Sequence, residues 1–207
     1  DTEALVHAAT GAATIFNCAN PPYHQWATAW PPVHQALMAA AERTGAVLVM
    51  MDNLYAFGPG TSMPMREHDA MNATGEKGSV RARMAHDLMA AHASGRLRAT
   101  LARASDFYGP HVIGAALGER VLPNVLAGKK VSLLGALDIP HSVSFMPDVV
   151  TTMVTIAGDE RAWGKPWHVP NAPAVSQRTT IEAFATAAGT TVKVGAVPKA
   201  ALSALGL

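Results

Sequence analysis

Lys77 and Arg81 stand four residues apart at the head of a strongly helical stretch, 78–93. That spacing puts both cations on one helix face. Arg81 can supply a fixed positive charge and hydrogen bonds, but it stays protonated and relays no proton. Lys77 becomes an acid or base only where it is strongly desolvated. Upstream, Asn53 can donate a hydrogen bond but not a proton. Tyr55, two residues on, is the one phenol nearby. The other reactive side chains fall into no pattern. Ser105 lacks the Gly-x-Ser-x-Gly elbow of a hydrolase nucleophile. Nine histidines are present, but His24 to His34 and His86 to His92 match no ligand spacing, so no metal is expected. Cys18 is the single cysteine, which excludes an internal disulfide and suits a reducing, cytoplasmic setting. Beside Ala19 at a strand end, with no base near it in sequence, it reads as a buried structural thiol.

The elements that must position these groups alternate along the chain. Residues 1–9 read as a helix closed by Gly11, and 13–18 as an apolar strand broken by Asn20-Pro21-Pro22. A loop with Tyr23, Trp26 and Trp30 follows. Its rings either line a pocket or pack beneath the chain. Pro31-Pro32 then opens a helix that stops near Gly45. Residues 46–51 are apolar on both faces, as a buried parallel strand must be. The stretch 52–75 is a long loop, of the kind that is usually functional or carries hidden short structure. After the 78–93 helix come a strand at 98–104, a turn at Gly109-Pro110 and a mostly helical stretch, 111–126. Shorter elements follow: strands at 130–134, 142–145 and 167–169, a helix at 149–157 with Asp148 as its first-turn charge, and a helix at 177–188. A strand at 191–197 leads into a short helix from Lys199. The change from βα alternation to short mixed elements places a boundary at 110–130.

Composition bounds the rest. Apolar residues are 49% and charged residues 15% of 207, a globular and not a disordered balance. Sixteen basic and 15 acidic residues give a net charge of +1, with no basic block to hold nucleic acid or an anionic membrane. No apolar run is long enough to cross a bilayer.

Three segments in order resemble the extended short-chain dehydrogenase/reductases of the NAD-dependent epimerase/dehydratase type. Val47-Leu-Val-Met-Met-Asp-Asn-Leu-Tyr-Ala-Phe-Gly58 is similar to that family's strand running into a Ser/Thr-bearing segment and Tyr-Gly. Lys77-Gly-Ser-Val-Arg81 stands where the family carries Tyr-x-x-x-Lys. Leu101-Ala-Arg-Ala-Ser-Asp-Phe-Tyr-Gly-Pro110 is similar to its Arg-x-x-Asn-x-Tyr-Gly-Pro. Later, Phe145-Met-Pro-Asp-Val-Val150 resembles its His-Val-x-Asp-Val-Ala helix start.

The resemblance implies an α/β fold: a partial doubly wound, Rossmann-type parallel sheet over 1–110, then a small C-terminal mixed α/β substrate domain over 111–207, some of whose elements return to the first. It implies that about two βαβ units of roughly 30 residues precede Asp1, carrying the glycine-rich pyrophosphate turn that is not in this chain. NAD or NADP is the implied cofactor, bordered by Cys18, Ala19, Asn20, Ala104 and Ser105, with Arg81 on the nicotinamide ribose. Asn53, Tyr55, Lys77 and Arg81 take the catalytic positions. Asp106 stands at the family's Asn position and His141 where nucleotide-sugar members place an Arg, so both are implied substrate residues. His111 is either a third or a surface residue at a helix start. Arg103 supports the strand-end turn. A homodimer is implied through two helices. The stripe of Met84, Leu88 and Ala91 either meets that partner or faces the sheet.

The departures set the functional expectation. Neither Lys77 nor Arg81 replaces the family's tyrosine, so Tyr55 or Lys77 must handle the proton. A neutral His141 is a poor diphosphate anchor, which turns the reading from nucleotide sugars towards a small hydroxyl- or carbonyl-bearing metabolite. The expected activity is NAD(P)-dependent oxidoreduction or epimerisation. The alternative is a dinucleotide-binding sensor or scaffold that does not turn over.

Overall fold

The computed structural model describes residues 1–119 and 121–197. Four strands make one parallel sheet: β1 (Thr14–Asn17), β2 (Val47–Asn53), β3 (Arg98–Ala104) and β8 (Pro166–His168), in the order β1-β2-β3-β8. The central strands are nearly continuous apolar runs because both faces are covered. Leu48, Val49, Ala99 and Ala102 have no exposed surface. Register aligns Asn17 with Met50, Asn53 with Ala104 and Arg103 with His168. All four carboxyl ends therefore emerge along one edge, where this architecture places its ligands.

Helix α1 (Thr2–Ala9) is capped by Asp1, whose carboxylate accepts from the Glu3 N–H at 2.9 Å. Helix α2 (Trp26–Thr44) begins five residues before the prolines expected to open it. A 3₁₀ turn at Tyr23–Gln25 leads in, and Pro31 and Pro32 lie inside the helix. Each interior proline costs about 3 kcal/mol. Trp26 and Trp30, four apart on one face, are both buried. At roughly 150–250 Å² each, their burial contributes about 4–6 kcal/mol apiece, enough to hold the extra turns. Helix α3 (Glu76–Ala93) packs with α2 onto the sheet. Its Met84, Leu88 and Ala91 lie in the core with Trp30, Leu48 and Leu101, so that stripe faces the sheet and not a partner.

The chain forms two compact units. The first holds Asp1–Ala104 and Asp148–Pro170, including most of α5 (Met146–Gly158). The second holds Ser105–Pro147 and the described residues from Asn171 onward. It contains β4 (Asp106–Tyr108), α4 (Leu122–Leu126), β5 (Val131–Leu133), β6 (Pro140–His141), β7 (Val143–Phe145), β9 (Val175–Ser176), α6 (Gln177–Ala187) and β10 (Val194–Ala196). Its strands pair as β4–β7, β6–β9 and β5–β10, around a core of Val121, Val125, Val131 and Ile181.

Two differences from the sequence reading concern 106–126. Strand β4 was not expected; it forms because Asp106, Phe107 and Tyr108 pair with Val143, Ser144 and Phe145. The helix expected over 111–126 shrinks to α4. Gly109 at φ 116° and His111 at φ 63° break the backbone first. Gly118 then turns so tightly that a Cβ there would lie 2.3 Å from the Ile113 carbonyl oxygen. The helix expected from Lys199 lies outside the described residues. Among the described residues, no helix is long and apolar enough to cross a membrane.

Candidate functional site

At the carboxyl end of β2, one carboxylate sits between two guanidinium groups. Arg81 on α3 donates to Asp52 Oδ1 from Nη2 at 2.6 Å and from Nε at 3.0 Å, and to the Met51 carbonyl at 3.0 Å. Arg103 on β3 donates from Nε to Asp52 Oδ2 at 3.0 Å. None of the three side chains is more than 4% exposed. The guanidinium of Arg81 lies over the Trp30 ring, and that of Arg103 over Phe57. A buried carboxylate needs such partners, and bidentate arginine geometry supplies them.

The resemblance implies a ribose contact for Arg81; here the side chain is enclosed, with its Nε and Nη2 held by Asp52 and the Met51 carbonyl. It ties α3 to the end of β2. Arg103 does more than brace a turn, reaching the Met71 sulfur at 2.8 Å and so pinning the long loop. Asp52 was missed. The available signal was an acid near the end of an apolar, largely buried strand, where a charge must be paired.

Immediately beyond Asp52 the polypeptide turns outward. Asn53 Oδ1 accepts from the Tyr55 N–H at 3.0 Å, an Asx turn that lifts the Tyr55 ring to the surface. There the Tyr23 hydroxyl donates to the Tyr55 hydroxyl over 3.4 Å. Both rings pack on Trp26, with centroid separations of 5.0 Å for Tyr23 and 5.6 Å for Tyr55. Trp26 is itself anchored by its indole N–H on the Pro21 carbonyl at 3.1 Å. The Lys77 ammonium lies 4.3 Å from the Tyr23 ring centroid. Gly78 allows the approach of α3: a Cβ there would sit 2.5 Å from the Tyr55 carbonyl oxygen. Asn53, Tyr55 and Lys77 thus gather around an aromatic floor, of which Tyr23 is a member that sequence alone left undecided.

The loop carrying Tyr55 is ordered by its own contacts. Asn72 Oδ1 accepts from Gly58 N at 3.0 Å, and Ala56 and Ala73 share a backbone hydrogen bond. Glu67 Oε1 accepts from the His168 N–H at the end of β8. Desolvation holds the His168 ring below its ordinary pKa.

At the end of β1, Cys18, Ala19 and Asn20 are exposed. The reading of Cys18 as a buried thiol is therefore overturned: the chain leaves the sheet at Asn17, one residue earlier. Partial desolvation pushes the Cys18 thiol up, which keeps it from acting as a thiolate. Asn17 is buried, its Oδ1 accepts from Ala19 N at 3.2 Å, and its Nδ2 has no hydrogen-bond partner. Ala104 is buried at the end of β3.

In the second unit, His141 Nε2 and Asp106 Oδ2 are 2.8 Å apart, each side chain about half exposed. The hydrogen bond to Asp106 raises the His141 pKa above its ordinary 6.5. Ser105 joins the same segments: its hydroxyl donates to the Ser142 carbonyl at 2.6 Å and its N–H donates to Ser144 Oγ at 2.9 Å. His111 stands exposed nearby in the chain, with φ 63°. Among the described residues, no group of three or more His, Cys, Asp or Glu side chains is placed to hold a metal ion.

A parallel sheet with its polar groups gathered at the strand carboxyl ends defines a Rossmann-type α/β protein. The NAD dependent epimerase/dehydratase family model matches residues 1–169, and the chain belongs to that family. A comparison with curated proteins finds no match. Among solved structures, UDP-N-acetylglucosamine 4-epimerase from Bacillus cereus superposes with a TM-score of 0.79 at 13% identity, covering 100% of this chain and 75% of that one. The UDP-N-acetylglucosamine 4-epimerase from Methanobrevibacter ruminantium gives 0.80 at 13%, covering 93% and 66%. The dTDP-glucose 4,6-dehydratase from Streptomyces venezuelae, solved with NAD, gives 0.72 at 17%, covering 96% and 65%. The chain spans about two thirds of the length of the latter two structures.

Proposed function

We propose that this chain carries the proton-handling part of an NAD(P)-dependent epimerase, dehydratase or reductase acting on a small hydroxyl- or carbonyl-bearing substrate. The observation that carries this reading is the Tyr55 phenol, raised by Asn53 at the carboxyl edge of the sheet and backed by Tyr23 and Lys77. A phenol there can exchange a proton with a substrate hydroxyl. Asn53 and Lys77 supply hydrogen bonding and charge beside it. Asp106 and His141, with His111, are proposed substrate contacts.

The residues at the end of β1 suit the proposed dinucleotide. Asn17 keeps a buried, unpaired amide N–H beside exposed Cys18, Ala19 and Asn20, and Ala104 and Ser105 end the next strand but one. When bound, the nicotinamide would accept or return the hydride. The dinucleotide form, NAD or NADP, and a homodimer remain part of this proposal.

The substrate class follows from charge. His141 with Asp106 makes a pair whose charges offset, so it suits hydroxyls better than a diphosphate. The solved relatives named above act on nucleotide sugars by their names, which makes UDP-N-acetylglucosamine and dTDP-glucose the natural comparison probes. Absorbance at the nicotinamide band, followed with these and with simple polyols and ketones, tests the proposal. Turnover that is lost in Tyr55→Phe supports it.

A second reading has its own observation. With Arg81 enclosed, the mobile lysine of the family has no counterpart on the first turn facing Tyr55 other than Lys77. A chain that binds dinucleotide tightly, with no turnover on any probe, would be a sensor or scaffold.

A further inference from the structure

Three contacts beyond those already given a role bear chemistry. The groove between α2 and α3 is floored by His34, whose two ring nitrogens have no partner, but its walls mix Asp87, Glu42 and Arg96 and select no ligand. The Glu67–His168 contact fastens a loop. The Tyr23–Tyr55 contact goes furthest, because it joins two exposed phenols that share one buried indole, and the first of them carries a cation on its ring.

We propose that Tyr23 is a positioning residue for proton transfer, its hydroxyl donating to the Tyr55 oxygen and its ring holding the Lys77 ammonium. This rests on the reading of Tyr55 as the proton-exchanging group. In the oxidation direction, the substrate O–H bond breaks and its proton goes to the Tyr55 phenolate oxygen. A bound oxidised nicotinamide would supply the oxidant, taking the hydride from the substrate C–H as the carbonyl forms. Tyr55 then returns its proton to water, to which its ring is exposed.

The geometry supports each part. A donor to a phenolate oxygen favours the charged form. The Tyr23 hydroxyl reaches the Tyr55 hydroxyl at 3.4 Å. The ammonium of Lys77 lies 4.3 Å from the Tyr23 centroid, where it withdraws electron density and strengthens Tyr23 as a donor. Trp26 packs edge-on to Tyr23 and tilted against Tyr55, so both phenols hold their positions without closing off the surface. The two-residue device separates the cation from the acid–base group. The family's own arrangement puts them one helical turn apart.

The test uses phenolate absorbance near 295 nm across a pH titration, which needs no substrate. The chain has three tyrosines, Tyr23, Tyr55 and Tyr108, so the Tyr55 component is assigned by its loss in Tyr55→Phe. The expected result is that Tyr23→Phe raises the Tyr55 midpoint. Lys77→Met is expected to raise it too, and to have no further effect in the Tyr23→Phe background, a coupling that only a shared path produces. With turnover on an active probe, Tyr23→Phe is expected to lower kcat about tenfold with KM little changed, against the larger loss for Tyr55→Phe. A Tyr55 midpoint unmoved by Tyr23→Phe overturns the proposal. So does a Lys77→Met shift that persists in full without Tyr23. If the midpoints couple as expected but Tyr55→Phe keeps full turnover, the reading of Tyr55 fails while the Tyr23 contact stands.

Discussion

Arg81 Nη2 lies 2.6 Å from Asp52 Oδ1, and neither side chain is more than 4% exposed. A residue standing where the family carries its catalytic lysine is therefore part of the protein's interior. Removing one partner of a buried ion pair leaves an uncompensated charge and costs about 3–5 kcal/mol. Asp52→Asn would strand two guanidinium groups, so a loss of that order is expected in urea unfolding. Arg81→Met is expected to lose stability as well. Unchanged stability in Arg81→Met, together with weakened dinucleotide binding, would return Arg81 to the ribose.

Gly78 sets how closely α3 approaches the loop. A Cβ there would meet the Tyr55 carbonyl oxygen at 2.5 Å and the Ala73 Cβ at 2.6 Å. Neither neighbour is the far end of a flexible side chain. Gly78→Ala is expected to destabilise by about 1–3 kcal/mol and to displace Tyr55. Thermal unfolding with a turnover assay checks both. A variant as stable and as active as the parent would show that the helix can move away without consequence.

His141 carries a pH dependence. Its pKa is raised above 6.5 chiefly by the hydrogen bond to Asp106. A histidine raised on folding gives its full stabilisation below the unfolded value, and that contribution fades as pH rises through the folded one. The window therefore begins near 6.5 and extends upward. Both side chains are about half exposed, so the effect on stability is small. Asp106→Asn is expected to bring the His141 titration back down, read from its imidazole proton resonance. An unmoved resonance would show that the pair does not persist in solution.

Much of the first unit was legible because its signals are local and strong. The apolar run through Leu48 and Val49 admits only a buried strand, and the 98–104 strand matches β3 at both ends. Tertiary contacts decided the rest. The indole rings of Trp26 and Trp30 carried α2 back past two prolines, a packing term that no local propensity contains. Strand β4 exists through its pairing with residues 143–145, far along the chain. Asn53, Tyr55 and Lys77, named through the resemblance, lie close together in the fold. Tyr23 could not be placed with them from sequence, because 32 residues separate it from Tyr55. The pairing of Arg81 with Asp52 was hidden for a related reason: helix-face arithmetic gives the direction of a side chain but not whether a carboxylate waits there.

Tyr55→Phe, assayed for nicotinamide reduction or oxidation on whichever probe the parent protein turns over, tests the central claim most directly. A positioned acid–base group contributes on the order of 10²–10⁴ in rate, and the phenol's loss removes it while the ring still packs on Trp26. The account predicts a fall in kcat of that order with the fold and dinucleotide binding intact. Full activity in Tyr55→Phe would contradict it.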